Sequence, residues 1–129
     1  MKQTALAIRT TPLPNHRSTI IMHIRGILNY NNYLQLIGAA QSLVDKNYRN
    51  LILDLVEIHS ISASGLFALY SIAAIFNGQA PPDPQNGWAA FRQMKQALAS
   101  EAQTHFILCQ PQANVRHALA RAGFDAFSP

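Results

Sequence analysis

Two serines in one short corner of the sequence, Ser62 and Ser64, are of a type that can do chemistry. They belong to the stretch Ser62-Ala63-Ser64-Gly65, which lies between two apolar runs. A corner of this kind can hold a nucleophilic hydroxyl, bind an anion at its backbone amides, or simply turn the chain. The surrounding sequence has to distinguish among these three roles.

Serine catalysis is disfavoured by the residues around this corner. A nucleophile elbow has the form Gly-x-Ser-x-Gly, but the residue two positions before Ser64 is Ser62. A triad also needs a histidine and a carboxylate close to the serine. His59 is near in sequence, but the chain has only six acidic residues, and Asp54 lies in an apolar run that predicts a structural role. We therefore expect no enzymatic activity.

Binding of a small anion at the corner is an alternative function. The two glycine-rich nucleotide-binding motifs, GxxxxGK[ST] and GxGxxG, are absent from the sequence. A helix that begins at Ser64 and Gly65 nevertheless directs its free amide groups and positive dipole end toward the corner. A domain that binds a nucleotide or another small anion there is therefore the second hypothesis, and no cofactor is expected.

The histidines and the single cysteine do not have the spacing of metal ligands. His105 and Cys109 share one face of a short apolar run, but about 13 Å of extended chain separates them, too far to share a zinc ion. The remaining histidines are interpreted as surface or partly buried groups with ordinary hydrogen bonds: His16, His23, His59 and His117. The sequence thus predicts no metal site.

Apolar periodicity predicts the elements that position the corner. The predicted strands cover residues 5–9 as an edge strand ended by Pro12, 19–28 with a bulge at Gly26, 51–58 and 105–109. The predicted helices cover residues 31–46 with Asn29 or Asn31 as cap, 64–76, 88–103 and 114–122. Their order predicts an α/β fold, a mixed β-sheet of about four to five strands with helices packed on it.

The proline-rich stretch QAPPDPQNG separates two of the predicted helices. Its three prolines and closing glycine predict an extended loop. A chain of 129 residues is the size of one domain. We therefore expect a single domain over residues 1–129, in which this loop and the next helix form an insertion at about 78–103.

The composition excludes several classes of function. Ten Lys and Arg against six acidic residues are scattered singly, and no basic stripe points to nucleic acid. Charged residues make up only 12% of the chain, which suggests apolar contact with a protein partner. No apolar stretch approaches the roughly twenty residues that span a bilayer, and no secretory leader is evident. The lone Cys109 fits a reducing compartment, so we expect a cytoplasmic protein.

Three quoted stretches resemble the STAS domains, the fold of the bacterial anti-sigma-factor antagonists. IIMHIRGILN resembles the early strand of that family and its Gly-x-Leu-Asp end, with Asn29 where aspartate is usual. NLILDLVEIHSISASGL is similar to the family's strand and Asp-Ser-Ser-Gly-Leu loop, and HFILCQPQANVRHALARAGFDAF to its last strand, turn and helix. The resemblance covers about residues 18–76 and 104–127.

The resemblance implies a STAS-like fold and a signalling role in bacterial transcription regulation. In that family the first serine of the loop is phosphorylated by a partner kinase, and the unphosphorylated form binds the kinase or anti-sigma factor. A phosphate brings about −1.5 to −2 charges into a contact built for neutral groups and breaks it. The partner is then an anti-sigma factor or serine kinase, or another STAS protein, and self-association stays open. The implied partner-binding residues are Asn29, Ser62, Ala63, Ser64, Gly65 and Leu66.

The chain departs from the family pattern at the position of the switch. Ser62 stands where the family has aspartate, Ala63 stands at the usual phosphoserine, and Ser64 matches the second serine. Because alanine has no hydroxyl, the usual phosphorylation cannot occur there. Three interpretations stay open: a permanently unphosphorylated binding module, a switch that uses Ser62 or Ser64, or a structural member of a larger assembly. The insertion at 78–103 is a second departure, which either covers or extends the binding face.

Overall fold

The computed structural model of the chain describes residues 6–78 and 105–122. The described strands are β1 (Ala7–Pro12), β2 (Thr19–Leu28), β3 (Asn50–Ile61) and β4 (Phe106–Cys109). The described helices are α1 (Tyr33–Asp45), α2 (Ala63–Phe76) and α3 (Ala113–Arg121). The predicted loop and helix at 78–103 lie outside the described residues, except for residue 78 itself.

The strands form a four-stranded mixed sheet in the order β1-β2-β3-β4. β1 runs antiparallel to β2, whereas β2, β3 and β4 are mutually parallel neighbours. The two long strands therefore lie at the centre of the sheet. This architecture confirms the predicted mixed α/β fold.

One face of the sheet carries the hydrophobic core. Alternate residues of the central strands are buried on this face because successive side chains of a strand point to opposite sides. On β2 and β3 the residues that do so are Ile20, Met22, Ile24, Leu51, Leu53 and Leu55. Helix α1 contributes Leu36, Ala40 and Leu43 to the same core. Helix α2 is buried almost all round, as its continuous apolar sequence predicts.

Two strand ends differ from the sequence prediction. The pattern predicts that the edge strand ends before Pro12, but β1 includes Pro12 across from Ile20. A proline is tolerated at the end of an edge strand because its missing N–H is not needed there. The pattern also ends the central strand at residue 58, whereas β3 continues to Ile61 because its pairing with β2 extends to Leu28.

The boundaries of the three described helices lie within one or two residues of their predicted positions, with one wrong cap. The residue that caps α1 is Asn32, not Asn29 or Asn31. Helix α2 begins at Ala63, one residue earlier than predicted, and ends with Asn77 as its C-cap. The predicted bulge at Gly26 is confirmed by a register shift between Gly26 and Ile27. Across the described ranges no helix is both long enough and apolar enough to cross a membrane.

Candidate functional site

The corner at residues 62–65 is the junction between β3 and α2. Ser62 is the N-cap of α2, and its hydroxyl oxygen accepts a hydrogen bond from the Gly65 N–H at 3.3 Å. The Ser62 N–H in turn donates to the Leu28 carbonyl at 3.0 Å, which joins the corner to the end of β2. The Ser62 side chain therefore has a structural function at the start of the helix.

Gly65 permits a close approach between α2 and the ends of two strands. This residue is buried, and a Cβ atom built on it lies 2.7 Å from Ile61 Cγ1. The same atom lies 2.9 Å from both the Cγ and the carbonyl oxygen of Leu28. Any residue larger than glycine must displace backbone or a packed side chain, so Gly65 sets the position of the corner.

The predicted site residues differ in their exposure to solvent. Ala63 is exposed, Ser62, Ser64 and Leu66 are half-buried, and Gly65 is buried. The most exposed residue of the corner is thus an alanine, which has no hydroxyl group. The Ser64 hydroxyl has no hydrogen-bond partner within residues 6–78 and 105–122, unlike that of Ser62.

The corner lacks the geometry of a serine hydrolase. The Ser62 hydroxyl bonds to a backbone amide, and neither serine contacts a histidine or a carboxylate in the described part of the chain. A nucleophilic serine needs such a base within hydrogen-bond reach. Among the same residues no group of three or more His, Cys, Asp or Glu side chains is placed to bind a metal ion.

Asn29 lies at the turn between β2 and α1, next to the corner. Its side-chain oxygen accepts from the Asn31 N–H at 2.9 Å, and its own N–H donates to the Asn32 side-chain oxygen at 2.9 Å. The Asn32 side-chain nitrogen donates to the carbonyl of Ile27 at 2.8 Å. Asn29 is half-buried, and its position beside Leu28 brings it near Ser62, which bonds to the Leu28 carbonyl.

Aromatic residues extend the exposed surface around the corner. Tyr30 is 73% exposed, and its ring centroid lies 5.9 Å from that of Tyr33. The Tyr33 ring contacts Phe67 of α2 edge-on at 6.2 Å, and Phe67 lies one helical turn after Ala63. We call the three residues Tyr30, Tyr33 and Ala63 the neutral surface. Phe67 is itself buried, with 7% exposure, and links Tyr33 to α2. Two further apolar residues are exposed nearby in sequence, Ile27 and Leu34.

The sequence analysis missed Tyr30 and Leu34 as candidate site residues. Leu34 fits the apolar stripe of α1 by type, but it lies about 200° around the helix from the buried Leu36. That mismatch was the available indication of an exposed apolar residue. The neutral surface also carries no charge, since residues 26–44 and 60–78 contain no Asp, Glu, Lys, Arg or His.

Tyr70 connects α2 to the end of α3. Its hydroxyl donates a hydrogen bond to the carbonyl oxygen of Ala122. Burial raises the pKa of Tyr70 to about 12, because the phenolate is poorly solvated inside the protein. The neutral Tyr70 side chain therefore joins α2 to the C-terminal end of α3 by a hydrogen bond.

Comparison with solved structures identifies proteins with the same fold. The anti-sigma factor antagonist SpoIIAA in its unphosphorylated form is 13% identical, with a TM-score of 0.60, over 95% of this chain and 86% of that one. The Bacillus cell fate determinant SpoIIAA in its phosphorylated form is 14% identical, with a TM-score of 0.54, over 95% and 89%. No protein-family model and no curated protein matches the sequence. The likeness shows that the chain has the STAS-like α/β fold that the sequence predicts.

Proposed function

We propose that the chain is a non-enzymatic regulatory protein of the STAS type that binds a protein partner through residues 62–66 and α2. The partner is an anti-sigma factor or serine kinase, or another STAS protein. The observation that carries this proposal is the neutral surface, in which Ala63 and Tyr30 are both exposed. Tyr33 links them, because its ring contacts Tyr30 and also Phe67, one helical turn after Ala63. The fold likeness to SpoIIAA, described as an anti-sigma factor antagonist, supports the same class of function.

The neutral surface has the physical properties of a partner-binding face. Aromatic rings bury about 150–250 Å² each when they are covered, and they are enriched at protein interfaces. Because residues 26–44 and 60–78 carry no charge, a partner does not have to desolvate ions in order to pack there. A charged side chain at position 63 would have to be desolvated when the partner binds, which opposes this function.

We further propose that Ser64 is the residue through which phosphorylation regulates binding. Its hydroxyl is half-buried without a protein hydrogen bond in the described ranges, whereas the Ser62 hydroxyl caps the helix. A phosphate on Ser64 lies in the first turn of α2, where the helix dipole stabilises negative charge. The same phosphate places about −1.5 to −2 charges on a neutral contact and weakens it.

The binding proposal is tested with two matched substitutions. Ala63 and Ala113 are both exposed first residues of helices, so Ala63→Glu and Ala113→Glu introduce the same charge in the same local structure. Each chain is expressed with an affinity tag in the native cells, and co-purified proteins are identified by mass spectrometry. We expect A63E to lose at least tenfold of the specific partner that A113E retains. Equal recovery by both variants contradicts a partner site at the corner.

The phosphorylation proposal has its own experiment. The kinase recovered with the wild-type chain is incubated with it and ATP, and the modified residue is located by mass spectrometry. We expect phosphate on Ser64 and none on the Ser64→Ala variant, with Ser62→Ala still modified. Phosphate on Ser62, or an unmodified corner, contradicts the role of Ser64 but leaves partner binding intact.

Binding of a nucleotide or other small anion at the start of α2 is the second candidate and has less support. Two of the amides near this helix start already have partners, because the Gly65 N–H donates to Ser62 Oγ and the Ser62 N–H donates to Leu28. The amides that stay available belong to Ala63 and Ser64. A thermal-shift screen with nucleotides tests this function, since a ligand at a hundredfold excess over its Kd adds about 2.7 kcal/mol of stability.

A further inference from the structure

A cavity of about 310 Å³ lies on β1 and the central strands, away from the neutral surface. Its lining residues are Ala7, Ile8, Arg9, His23, Arg25 and Glu57. In the antiparallel pair of β1 and β2, Arg9 lies opposite His23 and Ala7 lies opposite Arg25. Because Ile24 between them is buried in the core, His23 and Arg25 share the opposite face of the sheet. The short side chain of Ala7 leaves space between the two arginines.

His23 is held in a fixed orientation at this cavity. Its Nδ1 lies 2.9 Å from Asp54 Oδ2, with the two side chains 24% and 19% exposed. The other carboxylate oxygen, Asp54 Oδ1, accepts from the Val56 N–H at 3.1 Å. A register shift of β3 between the partners of His23 and Arg25 places Val56 at a bulge. Bulges often re-aim side chains near functional sites, and a carboxylate that binds one ring nitrogen leaves the other, Nε2, for a ligand.

The two arginines of the cavity are available for a ligand. Both are exposed, and in the described part of the chain neither guanidinium makes an ion pair or a hydrogen bond. Glu57 lies opposite Arg25 on β3 and forms no ion pair within the same residues. The cavity thus combines two unpaired cations and an oriented imidazole with one available carboxylate, since the Asp54 carboxylate is already occupied.

We propose that this cavity binds the phosphate group of a small soluble phosphorylated molecule. Guanidinium groups match phosphate oxygens with paired N–H donors, and a tetrahedral phosphate can take Arg9, Arg25 and His23 at once, whereas a planar carboxylate offers only two oxygens. His23 Nε2 donates to the phosphate when its ring is protonated. The cavity is within the usual size range of ligand sites, which leaves room for an organic group whose hydroxyls donate to Glu57. This site is independent of the proposed function, because it shares no residue with the neutral surface.

Isothermal titration with glycerol 3-phosphate tests the proposal, with glycerol as the control that lacks phosphate. The Arg9→Gln/Arg25→Gln variant removes both guanidinium groups of the cavity. The matched control is Arg17→Gln/Arg116→Gln, which removes the same charge from two other exposed arginines. We expect saturable binding that weakens at least tenfold in R9Q/R25Q and less than threefold in R17Q/R116Q. Equal weakening in both variants indicates general charge attraction and overturns the proposal, as does a lack of saturable binding.

An NMR measurement and a vesicle experiment complete the test. Bound glycerol 3-phosphate should shift the ¹⁵N resonances of the His23 ring, and those of His117 should not change. An unshifted His23 ring contradicts its role in the site. Sedimentation with phosphatidylcholine vesicles, with and without phosphatidic acid, distinguishes a lipid headgroup from a soluble ligand. Binding to phosphatidic acid without binding to glycerol 3-phosphate overturns the assignment to a small soluble molecule.

Discussion

Gly65 is the residue on which the geometry of the corner depends most directly. The first turn of α2 packs so closely on the ends of β2 and β3 that a single added carbon meets Ile61 and Leu28 below 3.0 Å. One of these contacts is to backbone, the Leu28 carbonyl, which also accepts the Ser62 N–H. Moving this carbonyl disturbs the hydrogen bond that joins the corner to the sheet.

Gly65→Ala should therefore destabilise the protein by about 1–3 kcal/mol, the usual cost of overpacking a tight contact. Gly38→Ala is the matched control, because an added Cβ there meets nothing within 4 Å. Alanine is favoured over glycine inside a helix by roughly 1 kcal/mol, so G38A should be slightly stabilising. Urea unfolding measures both changes. A G65A variant as stable as G38A contradicts the close approach at the corner.

Tyr70→Phe should cost about 1–2 kcal/mol, because the buried ring stays packed while the Ala122 carbonyl loses its donor. The pKa of Tyr70 gives the loss a pH dependence. The folded pKa of about 12 is above the unfolded value of about 10, so the unfolded state ionises first. Stability from Tyr70 is thus complete below about pH 10 and falls as the pH rises toward about 12. Unfolding curves of wild type and Y70F should converge over this window, and parallel curves contradict the raised pKa.

Residues of the site were predictable from the sequence only where a single residue of the right type is present for a given role. Gly26 and Gly65 are distinctive, and the sequence analysis assigned them to a bulge and to the corner. The cap of α1 was not predictable, because Asn29, Asn31 and Asn32 are all good cap residues. Local sequence does not decide among them: Asn32 is the N-cap by its backbone position and makes no side-chain capping bond, while its side chain donates to the Ile27 carbonyl.

At the scale of elements, the C-terminal half of β3 is hydrogen-bonded by side chains from the start of α3. The pairing of β3 with β4 covers only Leu51 to Asp54. Beyond it, the carbonyls of Val56 and His59 accept from the side-chain amides of Gln112 at 2.9 Å and Asn114 at 2.6 Å. Two side chains at the start of α3 therefore take the place of a neighbouring strand just before the corner.

The Gln112→Ala/Asn114→Ala variant should lose about 1–2 kcal/mol of stability, because each net hydrogen bond contributes about 1 kcal/mol. Amide exchange at Ser62 should also become faster, as the strand that leads to it is less restrained. Gln41→Ala is the control, because the Gln41 amide bonds only to Asp45 on an exposed helix surface, a contact of roughly 0.2–0.5 kcal/mol. Unchanged exchange at Ser62 contradicts the coupling between α3 and the corner.

The elements themselves were largely predictable, whereas their ends were not. A short apolar run bounded by polar residues identifies β3, because it is too brief for a helix. A longer run that is apolar nearly all round identifies α2 as a helix packed on several sides. The last residues of β3, Ser60 and Ile61, pair with Ile27 and Leu28. That pairing depends on a distant segment, so local composition does not reveal it.

At the scale of the whole molecule, charged and neutral regions are separated. The formal net charge of +4 comes from residues outside 26–44 and 60–78. The segments that contain the neutral surface are thus uncharged, while Arg9 and Arg25 lie together at the cavity on β1 and β2. The two proposed binding functions should then respond differently to salt.

Partner binding at the neutral surface should change less than threefold in Kd between 0.1 and 1 M NaCl. Over that range the Debye length falls from about 10 to about 3 Å, which screens exposed charges but leaves apolar contacts unaffected. Binding of glycerol 3-phosphate to the cavity is the internal comparison, and it should weaken at least tenfold because it depends on guanidinium and phosphate charges. Titrations with the purified partner and with glycerol 3-phosphate measure both. If partner affinity falls as steeply as phosphate affinity, charged residues outside the neutral surface carry the interaction, and the corner is not its centre.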